Sequence, residues 1–87
     1  MAYTVEIKKK VLKELERLPE DIRKKFKLLV LDLAEMGPVV HWPNFSKIAK
    51  DKYHCHLGYA WVACWKKEKG KLIIEVYYVG SRKDAPY

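Results

Sequence analysis

The stretch from Tyr53 to Val79, YHCHLGYAWVACWKKEKGKLIIEVYYV, decides what kind of fold this chain adopts. Aromatic and β-branched residues crowd it. Two turn signals, Gly58-Tyr59 and Lys69-Gly70, divide it into runs at 53–57, 61–66 and 72–79. Such side chains suit a pleated, half-buried surface, so three strands joined by two tight hairpins are predicted. A turn at Tyr59-Ala60 would set Cys55 opposite Cys64, His56 opposite Ala63 and His54 opposite Trp65. Alternation then sends Tyr53, Cys55, Leu57, Val62 and Cys64 to one apolar face. The opposite face receives His54, His56, Trp61 and Trp65.

Working back toward the N-terminus, residues 39–52 read as a loop around His41-Trp42-Pro43-Asn44, with a short strand near Lys47-Ile48. Upstream the apolar period becomes helical. Ile22, Phe26, Leu29, Leu33 and Met36 share one stripe, begun by Pro19-Glu20-Asp21 and ended by Gly37-Pro38. Proline suits a first helical turn, and acids there favour the positive end of the helix dipole. Val11, Leu12, Leu15 and Leu18 mark a shorter helix before it, and Tyr3-Thr-Val-Glu-Ile7 alternates like a strand. The expected class is α+β: an N-terminal strand, a two-helix hairpin, then an antiparallel β-meander (βααβββ). The helices would cover one face of a small sheet and leave the other open.

At 87 residues the chain is expected to form a single domain over 1–87, too small for a barrel or a doubly wound sheet. Hydrophobic residues make up 49% of it, with only four Gly and four Pro, which excludes a disordered chain. The formal charge is +7, and its excess is +2 over residues 1–36 but +5 over 37–87. A basic surface of this kind attracts a polyanion, nucleic acid first and an acidic protein next. Two cysteines are too few for a disulfide scaffold, and no apolar run reaches signal-peptide or membrane-span length. A cytoplasmic protein with reduced thiols and no membrane partner is expected.

The motif His54-Cys55-His56 suggests a metal cluster, but alternation points the cysteine away from both histidines, and no third ligand lies nearby. No metal site is expected there. The histidines titrate near neutral pH, and beside lysines on an open sheet they suit metal-free RNA cleavage. That reaction needs a base for the 2′-hydroxyl, an acid for the leaving oxygen and a cation for the crowded phosphate. Two solvent-facing strand histidines with no role fit the same pattern. Trp61, Trp65 and Tyr77 offer π faces for unstacked bases, and Lys47, Lys50, Lys52 and Lys83 offer charge for the backbone. Glu75 would pair with a lysine or raise a neighbouring histidine's pKa. The tail, Gly80-Ser-Arg-Lys-Asp-Ala-Pro-Tyr87, is expected to fold back over the sheet edge.

These residues together resemble the RelE/ParE toxin superfamily, most closely its RelE-like messenger RNA endonuclease branch. The resemblance runs over nearly the whole chain: Tyr3–Ile7, Leu18-Pro19, Lys47-Ile48, Tyr53–Leu57, Val62–Trp65, Val76–Arg82 and Tyr87. The helical part is generic, whereas the central strands and the glycine–x–arginine…tyrosine tail are specific. The resemblance implies the toxin of a type II toxin–antitoxin system, acting on translated mRNA in the ribosomal decoding site with no metal and no organic cofactor. It implies an acidic antitoxin from a neighbouring gene as partner, with operator DNA reached only through that antitoxin. Carried over by position, His54, His56, Arg82 and Tyr87 would surround the scissile phosphate. Arg82 would stabilise it, a histidine, His56 by preference, would act as base or acid, and Tyr87 would stack on a base or assist proton transfer. One departure stands out: where many relatives carry an arginine after a glycine–tyrosine turn, this chain has Ala60. The missing guanidinium removes a bidentate phosphate clamp, so either the histidines compensate or the chain is a weaker nuclease than its relatives, or one that has lost the activity. A ParE-like gyrase inhibitor and a catalytically weak RNA- or antitoxin-binding module are the alternatives.

Overall fold

In a computed structural model that describes residues 2–87, the chain runs β1 (Thr4–Ile7), α1 (Lys9–Leu15), α2 (Glu20–Met36), β2 (Ser46–Ala49), β3 (Lys52–Gly58), β4 (Trp61–Lys67) and β5 (Ile73–Ser81). A 3-10 turn, Arg82–Asp84, leads into the tail. The sheet order is β1-β5-β4-β3-β2; β1 lies parallel to β5 and the other pairs are antiparallel. The α+β class and the strand–helix–helix–meander order are as expected, and the short Lys47-Ile48 segment adds an edge strand.

The helix boundaries follow local chemistry. Glu20 and Asp21 occupy the first turn of α2. Gly37 ends it with φ of 91°, its N–H donating to the Leu33 carbonyl at 3.0 Å. A Cβ at Gly37 would also come within 2.8 Å of the Tyr3 ring, so this glycine serves both the backbone turn and the packing. The Tyr3 N–H donates to the Ala34 carbonyl at 2.8 Å, which ties the end of α2 to the entry of β1.

Val11, Leu18, Ile22, Phe26, Leu29 and Leu33 from the helical half pack on Tyr53, Cys55, Leu57, Ala63, Trp65, Ile74, Val76 and Val79 of the sheet. Met36, expected on the apolar stripe of α2, is instead half-exposed and Ala34 is buried in its neighbourhood of the helix.

The sheet corrects one expectation in a way that matters for the site. The β3–β4 turn is at Tyr59-Ala60 as predicted, and Gly58 pairs with Trp61. Beyond it Leu57 is an extra residue: His56 pairs with Val62, Cys55 with Ala63, His54 with Cys64 and Tyr53 with Trp65. A one-residue bulge exchanges the faces of a partner strand. Trp65 therefore lies on the helix side, fully buried, with its indole N–H donating to the Pro38 carbonyl at 3.0 Å. Burial of such a ring is worth about 4–6 kcal/mol by area, enough to select the bulged register. Val62 and Cys64, expected on the apolar face, move the other way, onto the histidine face, so the two cysteines do not share a face as expected. A second bulge places Tyr77 between the pairs Trp65–Val76 and Cys64–Tyr78, which lets Val76 and Val79 both face the core.

Candidate active site on the open sheet face

Alternation along β3 brings Lys52, His54 and His56 onto the face away from the helices. The edge strand and the turn before it supply a support for each imidazole. Ser46 pairs with His54 across the ladder, and its Oγ lies 2.9 Å from His54 Nδ1. Asn44 stands in the left-handed region at φ of 54°, and its Nδ2 lies 3.1 Å from His56 Nδ1. The His56 N–H donates to the Pro43 carbonyl at 2.9 Å, fixing that turn against β3. Both Nδ1 atoms are thus engaged, and among the described residues neither Nε2 makes a hydrogen bond. The Ser46 hydroxyl can donate or accept and so serves a neutral or a protonated His54. The Asn44 amide nitrogen only donates, which makes His56 Nδ1 the acceptor and puts the ring proton on Nε2; a protonated His56 needs the amide turned to present Oδ1.

The tail folds back over this face. The Ser81 Oγ accepts the Lys83 N–H at 3.1 Å and starts the 3-10 turn. Tyr87 then lays its ring 4.4 Å from that of His54, centroid to centroid, and the two histidine rings are 5.9 Å apart. His54 is left only 8% exposed. Burial, helped by the neighbouring His56, holds its pKa below the ordinary histidine value, and the Ser46 main chain partly offsets this. The Tyr87 hydroxyl is raised, by desolvation first and by Cys64, while Arg82 opposes. Burial pushes the Cys64 thiol beneath them up to about 12.

Arg82 sits at the rim. Its N–H donates to the Ala60 carbonyl at 2.8 Å, and its guanidinium lies 5.2 Å from the Tyr59 ring centroid. Ala60 therefore fixes the start of the tail through its main chain. Arg82 and His56 line a common cleft, separate from the contact between His54 and Tyr87.

The remaining sequence candidates divide. Lys52 places its Nζ 5.9 Å from the Tyr77 ring centroid, so both belong to the open face. Lys47, Lys50 and Lys83 are exposed, at the β2 edge, the β2–β3 turn and the tail. Trp65 is withdrawn as a base-stacking residue, because the Leu57 bulge turns it into the core. Trp61 is likewise half-buried against the core on the helix side. Glu75 pairs with lysine, its Oε1 lying 3.4 Å from Lys66 Nζ and 3.9 Å from Lys8 Nζ. Sequence reasoning missed Ser46, Asn44, Cys64 and Lys66. The small polar residues just ahead of β2 and at its first position were the available signal, but only the tertiary structure shows which histidine each one meets.

No protein-family model matches the chain, and no curated protein is a significant sequence relative. Solved structures do match. The RelE of the archaeal RelE–RelB complex from Pyrococcus horikoshii OT3 is 22% identical, with 98% of this chain and 100% of that chain covered and a TM-score of 0.77. The isolated E. coli RelE toxin is 19% identical over 98% of this chain and 89% of that one, with a TM-score of 0.75. A chain of the YoeB–YefM complex from Staphylococcus aureus is only 8% identical, yet 94% of this chain and 99% of that chain superpose with a TM-score of 0.71. The chain has the RelE/YoeB toxin fold, the fold that the residues of its central strands and tail resemble.

Proposed function

We propose that this chain is the toxin of a type II toxin–antitoxin system and a ribosome-dependent endoribonuclease that cleaves translated mRNA. The observation that carries the reading is the convergence of His54, His56, Tyr87 and Arg82 from β3 and the tail onto one face and its rim. The superposition with RelE and YoeB, two toxins solved with their antitoxins, supports it.

The proposed chemistry is a transesterification that these side chains can run without a metal. His54, kept neutral by burial, accepts the proton of the 2′-hydroxyl. The 2′-oxygen attacks the adjacent phosphorus, the bond to the 5′-oxygen breaks, and a 2′,3′-cyclic phosphate remains on the upstream fragment. His56, more exposed and lining the same cleft as Arg82, delivers a proton to the departing 5′-oxygen. Arg82 holds the negative charge that builds on the phosphate, and the Tyr87 ring supports a base next to the cut. Ala60 in place of a family arginine leaves one fewer cation, so turnover is slower than in relatives that have it. An acidic antitoxin encoded next door neutralises the basic half of the chain.

The test is induction in growing cells, with mapping of message 5′ ends and an assay of DNA supercoiling. Cuts within translated codons that vanish in His56→Ala and Arg82→Ala are expected. Growth arrest with intact messages would sink the reading, and altered supercoiling would transfer it to gyrase.

A further inference from the structure

A cleft of about 510 Å³ opens beside the histidine face, between α2, the Trp42–Asn44 turn and the β3–β4 turn. Lys25, Trp42, Asn44, His56, Tyr59 and Arg82 line it, and no carboxylate does. Its walls are held in place. The Trp42 indole N–H donates to Asp32 Oδ2 at 2.8 Å, which ties the turn to α2. Asn44 is held at His56, and Arg82 is held at Ala60 and Tyr59. The cleft thus combines two aromatic rings, two permanent cations and a volume in the range of about 300–1,000 Å³ that small-molecule sites occupy. Aromatic faces accept any nucleobase, and fixed cations accept its phosphate.

We propose that this cleft is a nucleotide subsite, holding one residue of the RNA that flanks the scissile phosphate. Its base lies against Trp42 and Tyr59, and its phosphate is held by Lys25 and Arg82. The inference deepens the nuclease reading, since His56 and Arg82 belong to both the cleft and the proposed reaction. It adds Lys25, Trp42 and Tyr59 as binding residues, which supply contacts where the chain lacks the arginine after its glycine–tyrosine turn. Recognition by stacking is tolerant of base identity, so the subsite contributes affinity and register more than sequence choice.

The experiment is an NMR titration of the isotope-labelled full chain with adenosine 5′-monophosphate, adenosine and inorganic phosphate, each alone. The mononucleotide is expected to shift the Trp42 indole, Tyr59 and Arg82 signals, and to bind about tenfold more tightly than either part. Lys25→Glu and Tyr59→Ala each alter an exposed side chain and should each weaken it by roughly fivefold or more. Shifts confined to the surroundings of His54 and Tyr87, or affinities unchanged in both variants, would overturn the subsite. So would a glutamate-rich peptide that displaces these signals where the mononucleotide does not. The two readings fail separately: cleft binding by a chain that leaves messages intact removes only the nuclease, whereas cleaved messages without cleft binding remove only the subsite.

Discussion

The ring of Tyr87 rests on that of His54, 4.4 Å between centroids and tilted by 44°. A residue of the tail thereby covers a histidine of β3, the strand next to the sheet edge, on the open sheet face. Burial is the main reason the His54 pKa is low. Replacing Tyr87 with Ala should let water reach the imidazole and move its pKa up toward the ordinary value. Because Tyr87 is itself 54% exposed, the fold should survive. Following the imidazole signals through a pH titration of both proteins checks this, and an unmoved His54 titration would show that the tail does not supply the burial.

The same shift makes stability depend on pH. The folded state disfavours the proton on His54, while the unfolded chain takes it near the ordinary value of about 6.5. The unfolded state therefore binds more protons in the window below that value, and the stabilisation present above it is lost as pH falls toward the folded pKa. Urea midpoints at pH 7.5 and pH 5.5 should fall more for the native sequence than for His54→Gln. Equal drops would remove His54 as the titrating group.

Trp65 tests the register. Trp65→Ala should destabilise the protein by about 3–5 kcal/mol, because it empties a fully buried core site and leaves the Pro38 carbonyl without its donor. Trp61→Ala removes a half-buried ring and should cost clearly less. Denaturant unfolding of the two variants gives the comparison; similar small costs for both would restore the unbulged pairing, which puts both rings on the open face.

Cys55 and Cys64 are both buried, with thiols pushed up to about 12 by desolvation, and they lie on opposite faces of the sheet. Near neutral pH both should stay protonated, and a thiol reagent should modify them only as fast as the chain opens. Mild oxidation should leave two free thiols. Rapid labelling of the native protein would contradict this placement.

Ala60 is exposed, and its structural contribution is a main-chain carbonyl, so Ala60→Arg should fold normally. On the proposed mechanism the added guanidinium should raise message cleavage on the order of tenfold, since single charge-stabilising groups carry effects of that size or larger. Cleavage rates on programmed ribosomes decide it; no gain would mean that the present cations already saturate the phosphate.

Much of this molecule was legible along the chain because helical spacing and strand alternation are local. Pro19, the acids after it and Gly37 mark α2, and the order Lys52–His54–His56 on one strand face follows from a period of two. The tail's return to the sheet was legible in its aromatic and cationic residues, although it lies over the histidine face and not over the sheet edge as expected. Register was not, because it is settled between strands. The turn at Tyr59-Ala60 was correctly placed, yet the bulge at Leu57 exchanged Trp65 for Cys64 on the histidine face. A bulge has no strong local signature; it exists here because burying a large indole outweighs an unbroken ladder. The contacts of Ser46 and Asn44 with the two imidazoles depend on that same inter-strand geometry, as does the cleft that joins α2 to the β3–β4 turn. Residue order along the strands thus named the histidines, while packing of the assembled sheet chose their neighbours.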